Sequence, residues 1–213
     1  SGDIMLRALV VASDEANDFV SLYPVIADGA YYEVEIDTIY EWENGIEATI
    51  YGYIEDFPIG FFMADYFLHK TDIVKGKRFG FKLGMIAYDC EEVFEKAFQF
   101  EGQQAIDYLT KIGDKPKYDA QGNVEPVVFN LENLAAFLQT NSRYPDDVSF
   151  QSPIQFCNEV ESLGTSFYKF RIIAHRNPDI TMPLYVKKSL VSFQPQTSMP
   201  IKGVGWVQGC LVH

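Results

Sequence analysis

The chain has 213 residues, 47% of them hydrophobic and 15% aromatic, and seventeen Lys or Arg against thirty Asp or Glu give a formal net charge of −13. That size and apolar content suffice for a real core, and apolar runs such as 9–12 and 127–129 fall far short of the roughly 18–20 residues a membrane span needs. The acidic balance disfavours nucleic acid and anionic membranes, whose phosphates are held by Lys and Arg, and favours a basic protein partner.

The charge is not spread evenly. Residues 1–68 hold fourteen acidic side chains and one basic one, Arg7, so that 1 − 14 = −13, while 69–213 hold sixteen of each sign and sum to zero. A single-sign block is a statement about partners and not about fold. No basic stretch followed by a long apolar one opens the chain, so no secretory signal is expected, and Met5 is a candidate natural start. Three widely spaced cysteines, Cys90, Cys157 and Cys210, argue against a disulfide framework and for a reducing compartment, the cytoplasm.

Along the chain, residues 31–55 carry the clearest structural signal, alternating side chains on both sides of Asn44-Gly45 that predict a hairpin. A two-residue turn would set Glu43 opposite Ile46 and Glu41 opposite Ala48, mixing carboxylates with apolar residues. A three-residue loop with Gly45 in the left-handed region instead pairs Trp42 with Ile46, Tyr40 with Ala48 and Val34 with Ile54. That register places Glu33, Glu35, Asp37, Glu41, Glu47, Tyr51, Tyr53 and Glu55 on one solvent face, the candidate partner-binding surface. Like charges facing each other there, Glu41 with Glu47 and Glu33 with Glu55, cost a few tenths of a kcal/mol or more each. The competing reading is a solvated face whose charges discourage aggregation.

Residues 61–68 and 78–89 predict two further strands around a polar turn at 70–77. Spaced apolar residues predict helices over 103–112 and over 131–138, the latter behind an Asn130 cap. Strands are expected again at 165–174, 181–188 and 203–212. Glycines inside strands, Gly52, Gly80, Gly84, Gly205 and Gly209, point to bulges and corners. The expected fold class is α+β and mainly antiparallel β, a bent sheet that looks like a small OB-type barrel with elaborations. It forms one domain over 1–213, with a β core at 31–90 and 165–212 and a helical insertion at about 94–145.

No motif fixes a reaction, and an enzyme is the less favoured class. The histidines, His69 and His175 among them, lie in no metal-ligand spacing, and carboxylates about 6.6–7 Å apart along one strand cannot cage calcium alone, so no metal or cofactor is expected. Ser166 lacks a nucleophile elbow, and Cys90 sits among carboxylates that raise its pKa. Cys157 with His175 remains a pair that only folding could assemble. The glycines at 203, 205 and 209 miss the dinucleotide pattern, and Lys75-Gly76-Lys77 reads as a turn. Arg78, Lys82, Lys169, Arg171, Lys187 and Lys188 interleave with Phe79, Phe81, Tyr168, Phe170 and Tyr185, the composition of a barrel that stacks single-stranded nucleic acid, although alternation alone also puts bases outside and rings inside. The preferred expectation is a non-catalytic binding protein, inhibitory or immunity-like, docking its acidic hairpin on a basic partner. The alternative is a single-stranded nucleic-acid-binding barrel.

Overall fold

The computed structural model describes residues 3–12, 17–141 and 144–212. An antiparallel ribbon opens the chain, β1 (Ile4–Ala12) and β2 (Asn17–Ile26), forming a two-stranded sheet of its own. The expected meander follows as β3 (Ala30–Glu41), β4 (Ala48–Ile54) and β5 (Phe57–Met63), then the one-turn helix α1 (Tyr66–His69) and β6 (Arg78–Ala87). The strand expected over 61–68 thus stops at Met63. Asp65 fixes the bend there, because its carboxylate accepts the Leu211 amide at 3.0 Å.

After the short β7 (Glu91–Glu92), β8 (Ala97–Phe100) and β9 (Val127–Asn130) pair with each other. Their rings Phe98, Phe100 and Phe129 cluster with Tyr108 of α2 (Gly102–Lys111). Helix α2 lies where the spacing predicts it. The second expected helix, over 131–138, does not form. The Asn130 side chain accepts the Glu132 amide (2.9 Å), yet it closes only a turn, after which the chain enters β10 (Ala136–Asn141). Pairing with β11 (Tyr144–Pro153) outweighs the helical spacing. The 94–145 stretch is therefore one helix and several strands. β12 (Phe156–Ser162), β13 (Thr165–Arg176), β14 (Asp179–Lys187) and, beyond a 3-10 turn, β15 (Pro200–Leu211) complete the chain.

The protein is mostly β. Eleven strands form one mixed sheet in the order β10-β11-β15-β5-β4-β3-β6-β14-β13-β12, with β7 also on β15. β15 runs parallel to β5, with Gln208 opposite Phe62, and antiparallel to β6, with Val207 opposite Met85. The pairings β3–β4, β4–β5, β5–β15, β15–β6 and β6–β3 consequently form a closed circuit. Val34, Ile36, Ile50, Ile59, Phe61, Phe81, Leu83 and Val207 from these strands are fully buried in one cluster, with the Phe61 and Phe81 rings 4.9 Å apart. Glycine makes the curvature possible where backbones close on each other: a Cβ on Gly52 would lie 2.4 Å from the Glu35 carbonyl oxygen. Among the described residues no helix is long and apolar enough to cross a membrane.

The outward surface of β5 is covered. Gly60 lies beneath the Pro145 backbone, and a Cβ added there would sit 2.1 Å from the Pro145 oxygen. Gly60→Ala is expected to lower stability by about 1–3 kcal/mol through overpacking. Urea unfolding measures it; an unchanged midpoint would show that the segment around Pro145 does not press on β5.

Candidate functional site

The candidate surface is built on the β3–β4 hairpin, and its register differs from expectation at one end. Next to the turn, Glu41 pairs with Ala48 and Tyr40 with Thr49, the frame that sequence reasoning rejects. The loop has four residues, 43–46, closed by Trp42 N–H donating to the Glu47 carbonyl (2.8 Å) and Gly45 N–H to the Trp42 carbonyl (2.8 Å). Asn44 decides this geometry. Its Oδ1 accepts the amides of Ile46 (3.1 Å) and Glu47 (3.2 Å), and its Nδ2 donates to the Glu47 carboxylate. At Asp37 the ladder gains a bulge. Beyond it Ile36 faces Gly52 and Glu35 faces Tyr53, the frame in which Val34 was expected opposite Ile54.

The bulge sorts the eight expected residues. Glu33, Glu35 and Tyr53 stand exposed on the outer side with Glu55 beyond the strand end, and Tyr51 is half-buried beside them. The Tyr51 and Tyr53 rings meet edge to face at 5.8 Å. Burial, and then the Tyr53 hydroxyl, push the Tyr51 phenol above its ordinary value. Asp37 sits in the bulge itself. Glu41 falls on the other side of the strand, where it accepts the Tyr66 hydroxyl at 2.9 Å. Glu47 is only 4% exposed, folded under the loop by Asn44. The expected Glu41–Glu47 repulsion is thereby removed.

Local bases neutralise three of these acids. Glu35 is 3.1 Å from Arg78, its direct cross-strand partner on β6, Asp37 is 3.7 Å from Lys75, and Glu41 is 3.7 Å from Lys70. The charge switch in the sequence at residue 69 thus becomes a face-to-face meeting of acidic and basic segments. Glu33 and Glu55 have no basic partner within 4 Å among the described residues. Three tyrosines stand near them on the outward side, Tyr31 (55% exposed), Tyr53 (37%) and Tyr51, while Tyr40 (50%) lies towards the turn, seven residues along β3 from Glu33.

Towards the turn the same outer side disappears under a second layer. Tyr23 of β2 meets the Phe62 ring edge-on at 4.9 Å, Trp206 and Trp42 flank that ring at 5.1 and 5.4 Å, and Arg7 and Tyr23 both donate to the Ala64 carbonyl. Two further carboxylates are buried here. Asp146 (4% exposed) accepts Trp206 Nε1 at 2.8 Å and Thr49 Oγ1 at 3.4 Å. Asp65 (8% exposed) has one oxygen on the Leu211 amide and the other without a hydrogen-bond partner. Burial pushes both carboxyls above their ordinary values, opposed by Trp206 and Thr49 at Asp146 and by the Leu211 amide, His69 and Arg7 at Asp65. Sequence reasoning misses this layer, although an acid inside the apolar run 61–68 is its visible sign.

The other expected chemistry is dispersed. Cys157 lies across from Phe170, whereas His175 is five residues further along β13, about 16 Å at 3.3 Å per residue, too far for proton transfer. His175 stacks on Phe57 instead, with ring centroids 5.0 Å apart. Cys90 is buried, and burial first and then Asp89 and Glu91 push its thiol up to about 12. Of the rings interleaved with bases, Phe81, Tyr168, Phe170 and Tyr185 are buried. Lys169 is held by Asp3 and Asp28, and Lys188 lies 2.8 Å from Glu159 and over the Tyr168 ring. Among the described residues no three His, Cys, Asp or Glu are placed to hold a metal ion together.

The buried acids make stability depend on pH with a definite sign. A carboxyl whose folded pKa is raised stabilises the fold fully below its unfolded pKa, and that contribution is lost as pH rises through the folded value. Asp146→Asn keeps an acceptor for Trp206 and removes the charge. It is expected to raise the urea midpoint at pH 7, with the gain over wild type shrinking to nothing as pH falls to about 4. A variant less stable at pH 7 would show that the charged form is the one favoured inside.

The chain matches no protein-family model, no curated protein and no solved structure.

Proposed function

We propose that this chain is a non-catalytic protein-binding module, inhibitory or immunity-like, whose outer β3–β4 surface docks on a basic protein partner. The single observation that carries the reading is the coincidence of three outward tyrosines, Tyr31, Tyr51 and Tyr53, with two acids, Glu33 and Glu55, that have no basic partner among the described residues. Tyrosine is enriched in interface anchors because it buries a large rigid ring yet keeps a polar tip, and its face attracts guanidinium and ammonium groups. Net charge of −13 would add long-range attraction for a basic partner. The centre of recognition is thus narrower than the eight residues of the sequence reading. Glu33, Glu35, Tyr51, Tyr53 and Glu55 form the surface, Asp37 and Glu41 stand at its margin in ion pairs, and Glu47 supports the loop.

The strand circuit supports reading the core as a small OB-like barrel, in which β15 takes the place of the closing strand. Barrels of that kind bind single strands on the face of their second and third strands. Here the β5 part of the corresponding face is covered by Pro145 on Gly60 and Tyr23 on Phe62, which leaves of it only the β4 tyrosines Tyr51 and Tyr53 that the docking surface uses. With Phe81, Phe170 and Tyr185 also in the core, the protein-docking reading has the better support over nucleic-acid stacking.

The double reversal Glu33→Lys with Glu55→Lys is expected to slow capture of a basic partner about tenfold or more at low salt while leaving unfolding unchanged. Tyr53→Ala is expected to speed its release. Both are measured by surface-immobilised binding after the partner is isolated at low salt. Partner capture that neither change affects would place docking elsewhere on the molecule.

A further inference from the structure

A second surface lies across the strands β10, β11, β15 and β7. Pairing aligns Ala136, Gln151, Lys202 and Glu91 in one row across these four strands, about 14 Å wide at 4.8 Å per strand. Beside this row a groove of about 760 Å³ runs between residues 91–95 and the 192–194 segment, with Phe94, Leu131 and Phe193 among its lining residues. A shallower apolar hollow over Ala136, Leu138 and Val204 continues it. The volume falls within the roughly 300–1,000 Å³ of ligand-sized clefts. Phe94 is 81% exposed and Leu138 66%. An aromatic ring so poorly covered, on a groove wall, contributes nothing to the core.

The rim is acidic. Asp89, Glu91, Glu92 and Glu95 stand against one ammonium, Lys202, so 1 − 4 = −3. Lys202 is 3.6 Å from Glu91, and the nearby Lys96 is taken by Glu132 at 3.2 Å. Glu92 and Glu95 have no basic partner within 4 Å among the described residues. In contrast to the hairpin acids, most of this charge is not neutralised by the fold.

We infer that this groove is a docking site for an extended, basic segment of a protein partner, about four residues long at 3.3 Å per residue, with a large apolar side chain against Phe94. Charge selects this occupant over a second copy of the chain, which would bring its own −13 to a negative rim. The site is separate from the hairpin surface, so either reading can fail without the other.

The test uses the full chain and a short fluorescein-labelled peptide of alternating lysine and leucine, with an alternating glutamate and leucine peptide as control, followed by fluorescence anisotropy. The lysine peptide is expected to bind at low salt and to weaken as salt rises. Phe94→Ala, at an exposed position that leaves folding intact, is expected to weaken it about tenfold or more, as is Glu92→Lys with Glu95→Lys, whereas Glu33→Lys with Glu55→Lys leaves it within about twofold. Unchanged affinity in Phe94→Ala, equal binding of the glutamate peptide, or an equal loss in the hairpin reversal would overturn the proposal, the last by showing that net charge alone attracts the peptide. A dimer of the wild-type chain that Phe94→Ala dissolves, seen by sedimentation without peptide, would also overturn it by giving the groove to a second copy.

Discussion

Strand β15 uses both of its edges, donating and accepting along β5 in parallel and along β6 antiparallel, and this double pairing is the constraint on which the other features rest. Without it β5 and β6 would each present an open edge, and the inward residues Phe61, Phe81 and Leu83 would face water from one end. The strand can slip between them because it is small where they are large: a Cβ on Gly209 would lie 2.6 Å from the Phe61 ring, and one on Gly205 would lie 2.8 Å from Met85. Closure is also the most non-local event in the fold. Val207 pairs with Met85, so everything from β7 to β14 must be accommodated before the circuit shuts, and loop-closure entropy opposes it until apolar contacts form.

Closure also dictates where acids can go. The outer side of the circuit is partly covered by the β1–β2 ribbon and by the Pro145–Asp146 segment, so carboxylates on that side are either in water or in a second layer. Glu33 and Glu55 stand in water; Asp146 and Glu47 are buried with donors supplied by Trp206, Thr49 and Asn44. The one-sided charge of the first third is accordingly not one surface. Lys70, Lys75 and Arg78, three of the first four Lys or Arg after the block, return beside Glu41, Asp37 and Glu35 because the turn between α1 and β6 brings them back along β3.

Local alternation made β3, β4, β6, β13, β14 and β15 legible, because period two marks the side turned to the core even in β4 and β15, where both sides are buried over 48–50 and 207–209. The hairpin turn was legible only to within one residue. Asn44-Gly45 marks the turn, but Asn44 bonding to two amides lengthens the loop, and the bulge at Asp37 cancels the slip so that the far end looks undisturbed. A residue absorbed by a bulge leaves no periodic trace in the sequence. β10 failed for the opposite reason, since Leu131, Leu134 and Leu138 have helical spacing and only pairing with β11 makes that segment a strand. The site divides the same way: Tyr51, Tyr53, Glu33 and Glu35 follow from strand parity, whereas the burial of Glu47 and Asp146 depends on β2 and β11, distant segments that strand parity does not place.

A closed circuit has consequences for recognition. Pairing around the circuit leaves its strands only short edge stretches to lend to an incoming chain, whereas β10 and β12 are the outer strands of the large sheet and can take strand addition along their length. β12 carries Glu159 and Glu161, charges of the kind that blunt an edge, while β10 has none. A surface within the circuit must instead recognise through side chains standing off a rigid floor. The β3–β4 surface meets that condition: Tyr51 and Tyr53 stand on β4, which is paired on both sides, Tyr51 is braced against Tyr53, and Glu35 is held by Arg78. Rings fixed in this way lose little rotamer freedom on contact, so more of the area they bury remains as affinity.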